Sequence, residues 1–214
     1  MNTVHQRRLF VILVSAVLAL GALVIAPSAH AQTGPATRYL RQRNDEVNTI
    51  LRRAARTPDQ RTQRSAEVTR ILSDLLDYQE LARRSLGTHW DQHTEAERRE
   101  FVDLLRQLVE RNYEQNLERV LEFEVSYTSE TADTDGTVVR TEARSRTERR
   151  QPPVEITYTL HLQGNAWRVF DVVTDGVSLV RNYRNQFNRI ITENGWPALI
   201  TRMRDRLAQP ASGR

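Results

Sequence analysis

The chain of 214 residues has no cysteine. Disulfides, thiolate metal ligands and lipid attachment through an N-terminal cysteine are therefore excluded, and the fold must hold by packing alone. It has no lysine either, so all 31 Lys-plus-Arg positions are guanidinium groups. That lifts the pI to about 9.9 without making a basic surface, because 27 acidic residues are interspersed with the arginines almost everywhere. The formal charge of +4 falls to about +2 if Arg7 and Arg8 are removed with a leader, too little to point to a nucleic-acid partner. Repeats at a fixed period and low-complexity segments are also missing. A monomer is expected.

One long apolar run is present, Leu9 to Ile25, behind the basic pair Arg7 and Arg8 and ahead of Ala29-His30-Ala31. That is the order of a secretory signal with a small-x-small cleavage site after Ala31. A retained membrane anchor is the competing reading, since the run approaches spanning length. Cleavage leaves residues 32–214 as one domain, long enough to bury a real core.

The period of the apolar residues divides that domain into three parts. Residues 32–121 read as mainly helical, after an unstructured lead-in to about Thr37. Leu40, Val47, Ile50, Leu51 and Ala54 give one helix between Tyr39 and Arg56. Thr57, Pro58 and Gln60 supply an N-cap, an N1 proline and a capping-box partner for the next, which carries Val68, Ile71, Leu72, Leu75 and Leu76. Asp77 and Glu80 repeat that spacing for a short helix stopped by Gly87. Thr94 and Glu97 open the longest helix, to about Glu118, with Phe101, Leu104, Leu105, Leu108, Val109, Tyr113 and Leu117 on its apolar face.

From Phe123 the period becomes two. Residues 122–174 read as four antiparallel strands: 123–129, 137–145, 154–163 and 166–174. Asp135-Gly136 and Gly164-Asn165 supply turns, and Pro152-Pro153 precedes the third strand. In the fourth strand, strict alternation puts Trp167, Val169, Asp171 and Val173 on one face and Phe170 and Val172 on the other. The second strand carries the small residues Val139, Thr141, Ala143 and Ser145 on one face and Val138, Arg140, Glu142 and Arg144 on the other. If the small face is inward, it leaves room beneath the helices; an ordinary core with a sparse edge is the simpler alternative. After a turn at Asp175-Gly176, residues 175–208 read as C-terminal helices, the first with Val177, Val180, Tyr183, Phe187, Ile190 and Ile191 in a stripe.

Three constellations carry the residue types of a chemical site. His89, His93 and Glu97 have metal-ligand spacing on a continuous helix, but Gly87 and Thr94 interrupt any such helix, so a metal is not expected. Ser178, Asp175 and His161 include the members of a hydrolytic triad. The string Asp-Gly-Val-Ser-Leu is not a nucleophile elbow, however, and Asp175 and Ser178 are expected to satisfy N–H groups where a helix begins. Arg140, Arg144, Arg146, Arg149 and Arg150 form a dense basic run. It suits either anionic headgroups or an acidic partner patch, or else a solvated edge strand protected from edge pairing.

The C-terminal half contains Trp167-x-Val169-x-Asp171-Val172-x-x-x-Gly176-Val177-Ser178-Leu179 and Asn182-Tyr183-Arg184-x-Gln186-Phe187, then Gly195 and Ala198-Leu199-Ile200. Upstream lie Asp77-Tyr78, Leu86-Gly87-x-x-Trp90 and Phe101-x-x-Leu104-Leu105. In this order the chain resembles the periplasmic phospholipid-binding proteins of the Mla type (MlaC, or toluene-tolerance auxiliary proteins of ABC transporters). Asp175 departs from the glutamate that this family commonly has before the glycine.

The resemblance implies an α+β fold: N-terminal helices, a four-stranded antiparallel twisted sheet of NTF2-like or cystatin-like kind, and C-terminal helices packed on it. It implies a non-enzymatic carrier without a cofactor, whose cargo is a phospholipid. Its implied partners are an inner-membrane ABC transporter with an MCE-domain subunit and an outer-membrane lipoprotein complex. A hopanoid or other membrane lipid as cargo, or a ligand-free envelope adaptor, remain alternatives.

A carrier has to hide nearly all of its cargo's chains, since exposing both would cost on the order of 20 kcal/mol at about 0.8 kcal/mol per methylene. The helical candidates for the cavity wall are Leu72, Leu76, Tyr78, Leu81, Leu105, Val109 and Tyr113. The strand candidates are Val139, Ala143, Ile156, Tyr158, Leu160, Trp167 and Val169. Arg184, inside the matching motif, is the candidate for a structural role or for the headgroup at the rim.

Overall fold

The structure, a computed structural model, describes residues 34–209, and the expected signal segment of residues 1–31 lies outside them. Helix α1 spans Pro35–Leu51. It starts earlier than its apolar period suggests, within the expected lead-in, and it ends before Ala54. Its first turn is secured by a residue far away in sequence: the Glu130 carboxylate accepts from Thr37 N (2.7 Å) and Ala36 N (3.3 Å). A carboxylate at a helix N-terminus satisfies orphan donors and complements the helix dipole. Local sequence contains no trace of that partner.

Helix α2 (Pro58–Leu75) has the expected capping box of Thr57 with Gln60. Helix α3 (Tyr78–Leu86) is capped by Asp77, whose side chain accepts from Glu80 N, and it stops at Gly87. A 3-10 turn (Gly87–Gln92) leads to α4 (Glu95–Glu114), which has the Thr94–Glu97 capping box. This helix ends earlier than expected and gives way to a second 3-10 turn, Leu117–Glu122.

The sheet has five strands, not four, in the order β1-β2-β3-β4-β5, and all neighbours are antiparallel. These are β1 Phe123–Asp133, β2 Gly136–Ser145, β3 Val154–Gln163, β4 Ala166–Thr174 and β5 Val177–Ser178. The missed strand is only two residues long. Asp175 (φ 46°) and Gly176 (φ 79°) both take left-handed backbone, as a two-residue hairpin turn requires. Aspartate suits such a turn, and its Oδ1 also accepts from Glu155 N at 3.2 Å. Helices α5 (Leu179–Asn194) and α6 (Trp196–Ala208) complete the chain.

The expected strict alternation along β4 is overturned by a bulge. Thr159 pairs with Asp171 but Leu160 pairs with Val169, so Phe170 is the extra residue. Trp167, Val169, Val172 and Thr174 therefore share the face of Ile156, Tyr158 and Leu160. Phe170 and Asp171 turn to the other face, where Phe170 packs near His161 and under Arg84, whose guanidinium lies 4.2 Å from the ring centroid. The bulge lets one strand put buried side chains against two different surfaces.

Helices α2 and α3 are tied to the sheet at one seam. Leu76 makes a parallel bridge with Val169, and Asp77 N donates to Val169 O at 2.8 Å. At the start of β2, a Cβ on Gly136 (φ 151°) would lie 2.3 Å from Leu160 O. Gly136→Ala is therefore expected to force β2 away from β3 and cost about 2 kcal/mol or more. Thermal unfolding checks this, and an unchanged midpoint would show that the junction yields freely.

Candidate functional site: an apolar layer beneath the helices

The inner face of the sheet is made of small and β-branched side chains in β2 and larger ones in β3 and β4. Val139, Thr141 and Ala143 are all buried, so the small face is the inner one, and Arg140 and Arg144 on the opposite face are exposed. Opposite this surface lie Leu76 at the α2–α3 junction, Tyr78 and Leu81 from α3, and Leu105 and Val109 from α4. With Val139, Ala143, Ile156, Tyr158, Leu160 and Val169 they form one continuous buried cluster, and Trp167 packs at its margin, half-buried. Leu72 and Tyr113 fall instead into a second cluster, with Val47, Ile50, Leu51 and Val68 between α1, α2 and α4. The period of a helix shows which side is apolar. It does not show which of two neighbouring cores that side enters.

A few polar atoms interrupt the two apolar clusters. The Tyr113 hydroxyl is buried without a protein partner, and its pKa lies well above the usual tyrosine value, because of burial first and the nearby Tyr158 second. Tyr78 Oη is likewise buried without a well-formed hydrogen bond. It lies close to Ser73 Oγ, which is itself committed to Glu110. Burial, then the Glu110 carboxylate, raises the Tyr78 pKa. Thr174 Oγ1, on the inner face of β4, is a third buried hydroxyl without a partner. Leaving such groups unpaired costs about 1–3 kcal/mol each. By contrast, Thr141 Oγ1 donates to Ile156 O at 3.0 Å. Thr174 and Val172 escaped the sequence reading because the bulge that turns them inward leaves no mark on residue spacing.

Arg184 makes a clamp between helices. Its Nε and Nη2 both donate to the carbonyl oxygen of Arg84, at 2.9 and 2.7 Å, and its side chain lies over Gly87. The guanidinium thereby holds α5 to the C-terminal end of α3, where carbonyl groups lack helical partners.

The residues of the hydrolytic combination are not gathered. Ser178 Oγ donates to Asp171 Oδ2 (2.7 Å) and accepts from Arg181 N (3.0 Å), so it caps α5 as expected. Asp175 takes no part in that cap. Asp171 does, its Oδ1 accepting from Val180 N at 3.0 Å and Val172 N at 2.9 Å. His161 lies against Asp77, with Nε2 to Oδ2 2.8 Å. The histidine pair is also parted: His89 meets Gln92 and Asn188, whereas His93 stacks on Trp196 with centroids 3.7 Å apart. Among the described residues, no group of three or more such side chains could hold a metal ion.

Clefts open on the surface. A shallow groove of about 620 Å³ lies between α1 and α2, lined by both signs of charge, with Arg53 and Glu67 already paired at 2.9 Å. A deeper cleft of about 370 Å³ lies between α4, α5 and α6. Phe187, Leu199 and Met203 from its lining belong to the same apolar cluster as the inner face of the sheet. None of the described helices is long and apolar enough to cross a membrane.

Fold and site together define an α+β protein in which helices cover one face of an antiparallel sheet and enclose an apolar layer with a few buried hydroxyls. The chain matches the model of the MlaC protein family over residues 41–205 and belongs to that family. A solved structure with the same fold is that of the phospholipid-binding protein from Ralstonia solanacearum, in complex with a phospholipid. It is 24% identical, with a TM-score of 0.67, and the match covers 82% of this chain and 98% of that one. A comparison with curated protein sequences gives no match.

Proposed function

We propose that the protein is a periplasmic carrier that buries a phospholipid between the inner face of its sheet and the covering helices. In this reading it passes the lipid between an outer-membrane lipoprotein complex and an inner-membrane ABC transporter with an MCE-domain subunit, and so maintains outer-membrane asymmetry. Membership of the MlaC family supports it, as does the shared fold with a protein solved in complex with a phospholipid. The likeness of the sheet to NTF2-like and cystatin-like sheets belongs to the same reading.

The observation that carries it is a pair of buried hydroxyls at the layer itself, Tyr78 Oη and Thr174 Oγ1, without well-formed hydrogen bonds at an otherwise apolar interior. Phenylalanine and valine would fill the same two positions without an unpaired donor, so the hydroxyls are free to meet a polar group of a bound molecule. Ester carbonyl oxygens of a glycerolipid accept hydrogen bonds and are attached to chains that belong in the surrounding hydrocarbon. Burial alone drives chain uptake at about 0.8 kcal/mol per methylene, and reversible exchange needs no covalent step.

Native mass spectrometry of the purified protein, followed by organic extraction, tests the reading. One phospholipid per chain is expected, and protein stripped of lipid should reload from phospholipid vesicles. A chain that is lipid-free and stays so with vesicles would sink the proposal, and an extract of another lipid would change the cargo.

A further inference from the structure

The cleft between α4, α5 and α6 gathers three cations on an apolar floor. Outside it on the same helices, Arg106 of α4 pairs with Asp103 and Glu110, and Arg204 of α6 pairs with Glu100. The three arginines of the cleft do not. Arg111 donates to the main-chain oxygens of Arg206, Leu207 and Gln209, Arg202 to Asn194 Oδ1, and Arg206 to Gln209 Oε1. Among the described residues the lining contains no carboxylate. Three guanidinium charges thus face a cleft of about 370 Å³ with neutral partners among the described residues.

Below this cationic rim the surface is apolar, made by Leu108, Phe187, Ile190, Leu199 and Met203. Tyr183 stands where the cleft meets the interior. Its ring stacks on Phe187 with centroids 5.2 Å apart, and its hydroxyl is near enough to Tyr78 to affect that residue's ionisation. From the rim, then, the path inward runs from guanidinium groups to hydrocarbon to the layer beneath the helices.

We propose that this cleft binds a phosphate-headed acyl lipid, with the phosphate on Arg111, Arg202 and Arg206 and the chain on the apolar floor. This rests on the carrier reading above and makes the cleft the mouth of the lipid-holding layer. Charge complementarity selects the headgroup, because guanidinium forks match phosphate oxygens in bidentate fashion. The volume falls in the range of ligand pockets but is too small for a whole phospholipid, so the chains extend past Tyr183 and Phe187 into the interior. Arg111 also holds the end of α6 against α4, so Arg202 and Arg206, both exposed, are the residues to change.

The test uses the delipidated full chain and dodecyl phosphate, read by methyl NMR. Saturable shifts are expected at Leu108, Ile190, Leu199 and Met203, with none from inorganic phosphate at the same concentration. The double variant R202E/R206E should bind at least tenfold more weakly at an unchanged melting temperature, whereas R202K/R206K, which keeps the charge but loses the fork, should fall between the two. Loading from phosphatidylglycerol vesicles, followed by native mass spectrometry, should slow about tenfold in the glutamate variant. Equal binding by that variant, or shifts confined to other methyls, would overturn the site. Equal shifts from inorganic phosphate would reduce it to an anion site and overturn the lipid assignment. If the wild type binds dodecyl phosphate in the cleft yet takes no lipid from vesicles, the carrier reading fails while the amphiphile site stands. If it loads normally and the variant does too, only the cleft proposal fails.

Discussion

Replacing Ala143 by tryptophan is expected to abolish phospholipid uptake while the protein remains folded. Ala143 is 4% exposed, and on the inner face it lies between Val125 of β1 and Val154 of β3. An indole there projects into the layer in which the proposed acyl chains lie, so it competes with the cargo for the same volume. Overpacking of this kind costs about 1–3 kcal/mol of stability. Filling the volume that two chains need removes a burial energy on the order of 20 kcal/mol, so uptake suffers far more than folding.

Glu142→Trp supplies the control, since Glu142 is the next residue on the strand and faces the other way. Vesicle loading followed by native mass spectrometry gives the readout, and thermal unfolding confirms that both variants fold. Wild-type loading by a folded Ala143→Trp protein would show that the inner face of β2 is not part of the pocket.

Asp171→Ala is expected to be among the most damaging single substitutions outside the core. One carboxylate accepts from Val172 N, Val180 N and Ser178 Oγ at 2.7 to 3.0 Å. It thus ties the bulged strand β4 to the beginning of α5 across the hairpin turn. Removing it leaves two main-chain donors and a hydroxyl without their acceptor, for a loss of about 2–4 kcal/mol. For a domain of this size that lowers the unfolding midpoint by roughly 5–15 °C.

Ser178→Ala removes only the second member of the cap and should cost about 1 kcal/mol. Thermal melts of the two variants side by side check the ranking. If the alanine at 171 costs no more than the alanine at 178, the carboxylate is not the organising group of this junction.

Much of this architecture is legible in the residue order, for reasons that differ by element. The capping boxes at Thr57 and Thr94 and the Asp77 cap involve partners three residues apart, so the sequence displays them directly. The small inner face of β2 is equally visible, because side chains alternate along an unbroken strand. The start of α1 is not visible, because its cap is Glu130 in β1. Strand β5 is two residues long and has no period to detect. The Phe170 bulge shifts every later side chain of β4 to the other face, and the residues carry no mark of it.

The site divides in the same way. Membership of the MlaC family and the apolar character of the candidate walls follow from the sequence, because both depend on which residues occur and in what order. Only the tertiary structure decided that Leu72 and Tyr113 enter a separate core, that Arg184 clamps two helices, and that three arginines from two helices share one apolar cleft. The physical reason is range. Side-chain period and capping act over a few residues, whereas burial, charge balance and unpaired hydroxyls are set by neighbours that only the folded chain brings together.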